Sequence, residues 1–186
     1  MKYDDSTIKP AVEKKYRLYQ KHIIKKSNYI DGIKINRKKY PIIDNKCGTF
    51  FHMITKEKTP VPCIGVKACS NPSCTYHFKY NPLINAKTEK RQICINRLDA
   101  IDFINGFFNR NLKIWEKQVV TKKGIRNRIL CFDDINNYLI ILDEKNGNIK
   151  LWSGYPIDYL NRKQKLLKEY QIYSNTTNKK HHTSIS

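Results

Sequence analysis

The chain has 186 residues, of which 40% are hydrophobic, and its 36 Lys and Arg against 16 Asp and Glu give a formal net charge of +20. This size suits one domain with a substantial hydrophobic core. No segment approaches the roughly 20 apolar residues of a membrane helix, and the N-terminus lacks a secretory h-region. We therefore expect a cytoplasmic protein with no membrane partner, whose cysteines are thiols or metal ligands. The positive charge favours a phosphate-rich partner, which we expect to be RNA.

The N-terminal part predicts a helix followed by short extended segments. Residues 9–26 have the pattern of a basic amphipathic helix, with one apolar stripe and Lys and Arg elsewhere. Asp31-Gly32 predicts a turn. Short extended segments follow at residues 33–35 and 42–43.

The next segments predict a strand and a long loop. Residues 49–55 are apolar and β-prone, and this predicted strand contains His52. Residues 56–92 contain several prolines and little periodicity, which is typical of a loop. A loop of this length inside a compact domain is usually functional or held in place by something else.

The C-terminal half predicts a helix, a meander and a closing helix. Residues 96–109 have an apolar helical face. Four strand-like segments follow at 113–120, 127–132, 138–142 and 148–152. Asn146-Gly147 is a hairpin signal before the last of them. Residues 158–172 predict a closing helix, and the polar residues 174–186 predict a disordered tail. Both tryptophans, Trp115 and Trp152, are expected in the core.

This order predicts an α+β fold with N-terminal helices, a central helix, a four-stranded antiparallel sheet and a closing C-terminal helix. We expect one domain over residues 1–173, with an inserted cysteine-rich loop at 57–92 and the tail at 174–186.

Three motifs occur in order between residues 49 and 171. They are T-F-F-H-M-I-T-K at 49–56, R-Q-I-C-I-N-R-L-D-A-I at 91–101, and a hairpin ending K-L-W-S-G-Y-P at 150–156 that leads into K-L-L-K-E-Y at 165–170. Together they resemble phage- and plasmid-encoded members of the Barnase–EndoU–Colicin–RelE nuclease superfamily. That family has "F-W-H-I-I-T", a short Arg-bearing segment, and "L-W-T-A-Y-P" before "K-L-x-K-E-Y". Ser153 stands where the family usually has Thr, and Gly154 where it has Ala.

The resemblance implies a RelE- or barnase-like fold and a metal-independent endoribonuclease. Such a protein would be a toxin or phage-conflict effector, with a cognate antitoxin or inhibitor as a further partner. In this family the 2′-hydroxyl of RNA attacks the adjacent phosphate and leaves a cyclic phosphate and a 5′-hydroxyl. The reaction needs a base, an acid, and cations that stabilise charge on the phosphoryl oxygens.

The candidate catalytic residues follow from these motifs. His52 is the candidate general acid or base, because histidine titrates near neutral pH; its alternative role is a histidine packed in an apolar strand. Ser153 and Tyr155 alternate along a strand and can both contact one phosphate from one face, or they simply end the strand. Arg128 can donate two parallel hydrogen bonds to a phosphate.

Substrate binding is expected from three further basic residues. Arg126 shares a strand face with Arg128, and the alternative is a solvated basic edge strand. Lys56 ends the His52 motif, and Arg97 lies at the start of the predicted central helix. The substrate-binding candidates are therefore Lys56, Arg97 and Arg126.

The inserted loop contains the pattern Cys63-x5-Cys69-x4-Cys74-x2-His77. Zinc takes four ligands tetrahedrally, and closely spaced Cys and His on a loop can supply them. The pattern resembles a compact CCCH zinc finger, an RNA-binding module, although that family usually has three residues before the histidine. We expect one structural Zn²⁺ on Cys63, Cys69, Cys74 and His77, which would order the loop. Alternative fourth ligands are Cys47, Cys94 and His52, and the remaining alternative is a set of ordinary thiols.

Two other functional classes stay open at this point. One is a non-catalytic, zinc-containing RNA-binding protein built on the same sheet, with the CCCH-like loop as the reader of RNA. The other is a degenerate phage protein with a structural role. Convergence of His52, a basic side chain and Ser153 or Tyr155 in one cleft would favour the enzyme.

Overall fold

The computed structural model describes residues 3–37, 40–57, 80, 82, 91–121 and 124–182. The fold is α+β, as predicted. The α-helices are α1 (Ile8–Tyr19), α2 (Gly48–Ile54), α3 (Ile95–Asp99) and α4 (Leu160–His182). The strands are β1 (Tyr29–Ile30), β2 (Ile33–Arg37), β3 (Ile42–Ile43), β4 (Lys46–Cys47), β5 (Thr55–Glu57), β6 (Arg91–Ile93), β7 (Lys113–Thr121), β8 (Gly124–Asp133), β9 (Tyr138–Lys145) and β10 (Asn148–Pro156). None of the helices in these ranges has the length and apolarity that a membrane crossing requires.

The main sheet has six strands in the order β1-β2-β10-β9-β8-β7, where four were predicted. The expected meander is present, since β7 to β10 pair antiparallel with their neighbours. The additional strands come from the N-terminal part, where β2 pairs parallel with β10 and antiparallel with β1. Residues 33–35 were predicted to be extended, but β2 is largely exposed, so no burial pattern in its sequence placed it in the main sheet. Two further pairs, β3–β4 and β5–β6, form separate two-stranded sheets.

Two turns have the backbone conformation that their sequences predict. Asn146 and Gly147 have φ angles of 53° and 73°, and Asp31 and Gly32 have φ angles of 48° and 75°. Two successive left-handed residues match the twist of the flanking strands, and Asn, Asp and Gly adopt this conformation most readily. These turns explain why β9 joins β10, and β1 joins β2, as tight hairpins.

The sheet carries a core on each face. Along β9, Tyr138, Ile140 and Leu142 pack in the core formed with α1 and α2, whereas Leu139 and Ile141 face the core under α4. Trp115 is buried in the α4 core, as expected. The alternation follows from the two-residue period of a strand. Because both faces of the central strands are covered, they read as continuous apolar runs.

The prediction of a strand at residues 49–55 was wrong, because most of this segment forms the helix α2. Phe50, Phe51, Met53 and Ile54 are all buried, while His52 is half-buried. That spacing fits one broad helical face, and burial of this face in the core outweighs the β propensity of the residues. The strand β5 begins only at Thr55.

The other helices also differ from prediction in extent. The N-terminal helix changes after Tyr19 into a π-helical turn, Gln20–Ile24. The predicted central helix is α3 followed by two 3₁₀ turns, Ala100–Ile104 and Phe107–Asn109, separated by Gly106 with φ 65°. α4 continues through His182, into the segment predicted to be a disordered tail. Within that extension the Thr176 hydroxyl donates to the Ile172 carbonyl oxygen, and the Thr177 hydroxyl donates to the Tyr173 carbonyl oxygen.

Candidate active site

A cavity of about 330 Å³ opens beside the second half of β10. His52 and the charged side chains of Lys56, Glu57, Arg91 and Arg97 line it. Ser153, Tyr155, Trp152 and Ile141 complete the wall. Five predicted site residues from four separate elements therefore meet in one place: His52, Lys56, Arg97, Ser153 and Tyr155.

His52 lies in the last turn of α2 and is hydrogen-bonded to β10. Its Nδ1 is 2.9 Å from the Ser153 Oγ. The imidazole ring centroid also lies 5.6 Å from that of Trp152. Ser153 is buried, so its hydroxyl offers His52 a fixed partner.

A β-bulge at Trp152 sets the direction in which Ser153 and Tyr155 point. Leu151 pairs with Leu142, yet Ser153 pairs with the next residue, Ile141, so Trp152 is the extra residue. Leu151 faces the core of α1 and α2, whereas Ser153 and Tyr155 share the opposite sheet face with their β9 partners. Without the extra residue, the two-residue period would turn Ser153 into that core. The bulge therefore places both hydroxyls on the cavity side.

Two arginines converge on one backbone carbonyl at the cavity. Arg91 Nη2 and Arg97 Nη1 donate to the Thr55 carbonyl oxygen at 2.8 Å and 2.7 Å. Arg91 Nε also donates to Thr55 Oγ1 at 2.9 Å, and the Arg97 guanidinium lies 4.7 Å from the Tyr155 ring centroid. Burial, and then the nearby charge of Arg97, lowers the pKa of Arg91. Two like charges held this closely form a strong attractor for an anion.

Arg128 and Arg126, predicted to contact substrate, do not line the cavity. Arg128 is nine-tenths buried, and its Nη1 lies 3.4 Å from Asp143 Oδ1, close enough for an ion pair but without hydrogen-bond geometry. Its guanidinium lies 4.2 Å from the ring centroid of Trp152. Burial lowers the pKa of Arg128, while Asp143 opposes that shift. Arg128 therefore contacts Trp152, which forms part of the cavity wall, but does not itself line the cavity. Arg126 lies two residues before Arg128 on the same strand.

The predicted zinc ligands Cys63, Cys69, Cys74 and His77 lie outside the described residues. Across the ranges that the structure does describe, no group of three or more His, Cys, Asp or Glu side chains is placed to hold a metal ion. Two of the alternative ligands, Cys47 and Cys94, are buried. The third, His52, is hydrogen-bonded to Ser153 as described above.

Besides the apolar Ile141, three cavity residues were not assigned to the site from the sequence. Arg91 and Glu57 are register partners in the β5–β6 pair, which lies at the two ends of the segment predicted to be one loop. Neither T-K-E nor R-Q-I alternates between apolar and polar residues, so no local pattern in the sequence indicated this pairing. Trp152 was expected in the core, but it is half-buried and forms part of the cavity wall.

A smaller cavity of about 180 Å³ adjoins the first and shares Lys56, Arg97 and Tyr155 with it. Asp158 and Arg162, from the start of the α4 region, contribute to its wall. The two cavities lie side by side at the junction of α2, α3, β10 and α4, and basic side chains outnumber acidic ones in their linings.

Comparison with protein-family models, with curated proteins and with solved structures found no match.

Proposed function

We propose that this protein is an endoribonuclease that cleaves RNA by attack of a 2′-hydroxyl on the adjacent phosphate. The observation that carries the proposal is the meeting of the His52–Ser153 pair with Lys56, Arg91 and Arg97 in one cavity. A titratable imidazole beside a cluster of cations is what this chemistry needs.

Each group in the cavity has a role in the proposed reaction. Lys56, Arg91 and Arg97 would hold the scissile phosphate and stabilise the negative charge that grows on its oxygens. His52 would take the proton from the 2′-hydroxyl or give one to the leaving 5′-oxygen, with Ser153 fixing the orientation of the ring. The other proton transfer can be carried by the Tyr155 hydroxyl or the Lys56 ammonium. The products are a 2′,3′-cyclic phosphate and a 5′-hydroxyl.

The finer assignment to the Barnase–EndoU–Colicin–RelE superfamily, as a toxin or phage-conflict effector, is part of the same proposal. Its support is the three motifs in the family's order, together with a β7–β10 meander that α4 packs against. A cognate antitoxin or inhibitor would be the expected protein partner of such an effector.

Substitution of His52 tests the catalytic proposal. His52→Ala should lower the rate of RNA cleavage by about 100- to 10,000-fold, the usual contribution of a general acid or base. Its affinity for 2′-O-methyl RNA, which lacks the attacking hydroxyl, should change little, because dispersed Lys and Arg supply most of the binding energy. The measurements are the cleavage rate, the chemistry of the product ends, and binding by fluorescence anisotropy.

His22→Ala is the matched control, since His22 lies in the π-helical turn and does not line the cavity. It should retain cleavage. Full activity in the His52→Ala protein, or products with a 5′-phosphate, would reject the mechanism. RNA binding without cleavage by the unaltered protein would instead favour the non-catalytic RNA-binding protein.

A further inference from the structure

A second concave surface lies between the π-helical turn Gln20–Ile24 and β2. It encloses about 350 Å³. Lys26, Lys34 and Arg37 supply its charges, and no Asp or Glu is among the described residues that line it. Ile23, Ile24 and Ile35 supply apolar surface between the cations. We call this surface the β2 groove.

The positive charge of this region also acts on a neighbouring titratable group. Burial first, and then the charges of Lys21 and Lys26, lower the pKa of His22. The protonated form of His22 is thus disfavoured beside the groove, as expected where positive charge is already concentrated.

Hydrogen bonds hold the two walls of the groove together. Arg37 Nη1 donates to the Ile24 carbonyl oxygen at 3.4 Å and so spans the groove. Asn28 Nδ2 donates to the carbonyl oxygens of His22 and Lys26 at 2.9 Å and 3.1 Å. The Ile35 amide donates to the Asn28 carbonyl oxygen at 2.8 Å. The cations therefore project from a backbone that is already ordered, which lowers the entropy lost when a ligand binds.

The groove leads along the sheet towards the candidate active site. β2 runs parallel to β10, with Ile35 opposite Ile149 and Arg37 opposite Leu151. The next residue of β10 is Trp152, which forms part of the cavity wall. One end of the groove is thus one strand position away from the residues that surround His52.

We propose that the β2 groove binds the backbone of single-stranded RNA outside the scissile site. This inference rests on the proposed function, since the RNA is the substrate of the His52 cavity. Cations without carboxylates suit phosphates, Ser27 and Asn36 can bond phosphate or ribose hydroxyls, and isoleucines can pack against bases. A concave groove fits a strand better than a membrane surface, which requires protruding apolar residues.

Charge-neutralising substitutions in the groove test this proposal. Lys26→Gln with Lys34→Gln removes two exposed charges and leaves the Arg37 bridge intact. Each phosphate contact on a single strand adds about 0.7 to the log–log salt slope, so this double variant should lower the slope by about 1.4 and the affinity near 0.1 M salt by about 25-fold. The probe is 2′-O-methyl RNA of about 16 nucleotides, and RNA of about 4 nucleotides should lose much less affinity.

The matched control is Lys165→Gln with Lys168→Gln, which removes the same charge from exposed positions on α4. We expect this control to lose affinity for the long RNA by a factor at least five times smaller than the groove variant does. Equal losses in the two double variants, or equal losses for short and long RNA, would overturn the proposal.

Binding to vesicles of phosphatidylserine and phosphatidylcholine tests whether the partner of the groove is an anionic membrane surface and not RNA. Vesicle binding that depends on Lys26 and Lys34, with no such dependence for RNA, would assign the groove to a membrane surface and overturn the RNA proposal. Because 2′-O-methyl RNA cannot be cleaved, the binding result is independent of catalysis. Failure of the unaltered protein to cleave ordinary RNA would reject the proposed function alone.

Discussion

Tyr155 joins two functions in one side chain. Its ring supports the Arg97 guanidinium at 4.7 Å, and its hydroxyl belongs to a residue that lines both cavities. Arg97 is also held by the Thr55 carbonyl oxygen at 2.7 Å, so two contacts from opposite parts of the chain fix its position. The contributions of ring and hydroxyl can be separated by substitution.

Tyr155→Phe should keep the stacking with Arg97 and lose only the hydroxyl, whereas Tyr155→Leu should lose both. A hydrogen bond to a charged group contributes about 1.5–3 kcal/mol, so the first change should lower kcat/KM for RNA about 10- to 150-fold. Loss of the cation–π contact should lower it by about a further 2- to 30-fold. The measurement is steady-state cleavage of a short RNA. Equal activities of the two variants would show that the ring does not position Arg97.

Among the secondary-structure elements, the contact between α2 and β10 decides where His52 lies. α2 begins immediately after β4 and presents Phe50, Phe51, Met53 and Ile54 to the core, and this burial leaves His52 at the margin, facing Ser153. The bulge at Trp152 supplies the matching surface on β10. Gly154 follows the bulge and faces α2, where the backbone approaches Met53 and Tyr138 closely.

Gly154→Ala should destabilise the protein, because an added Cβ would lie 2.9 Å from Met53 Cε, 3.1 Å from the Tyr138 hydroxyl and 3.3 Å from Ile140 Cγ1. Such overpacking typically costs about 1–3 kcal/mol of unfolding free energy. Met53→Leu removes the nearest methyl group and should cost less than about 1.5 kcal/mol alone. In the double variant we expect the two losses to be less than additive, as measured by urea unfolding. Strict additivity would show that Met53 does not limit this position.

The inserted segment is tied to the rest of the protein at the candidate active site. β5 and β6, which flank it, pair so that Glu57 lies opposite Arg91, and both residues line the cavity. Within the insert, Tyr80 donates its hydroxyl hydrogen bond to Asp44 Oδ2 at 2.6 Å. Tyr80 therefore connects the insert to the turn between β3 and β4.

Purified, metal-replete protein should contain one zinc ion per chain, held by Cys63, Cys69, Cys74 and a fourth ligand for which His77 is the first candidate. Elemental analysis measures the zinc content. Cys69→Ser should abolish binding, because a thiolate ligand is lost. Cys131→Ala is the control, since Cys131 is buried in the sheet core and should leave the zinc content unchanged.

Brief exposure to EDTA should leave RNA cleavage intact, because the proposed zinc is structural and takes no part in the reaction. Metal-replete protein without zinc would reject the site, and immediate loss of cleavage in EDTA would reject its structural role.

Local sequence patterns were sufficient to predict much of the architecture. The meander β7–β10, the closing helix and the turns at Asp31-Gly32 and Asn146-Gly147 depend on periodicity and on residues that adopt positive φ readily, and these act over a few neighbouring positions. The motif around His52 and the alternation of Ser153 and Tyr155 likewise predicted residues that line one cavity.

Other features depend on partners distant in the chain, which no local pattern specifies. β2 belongs to the main sheet because it pairs with β10, more than a hundred positions away, although its own residues are mostly exposed. Residues 49–55 form mainly a helix because the core surrounds Phe50 and Phe51. Arg91 enters the cavity because β6 pairs with β5, and Arg128 is kept out of it because Asp143 and Trp152 hold its side chain. Burial and pairing across the fold therefore chose among conformations and positions that the local sequence allowed.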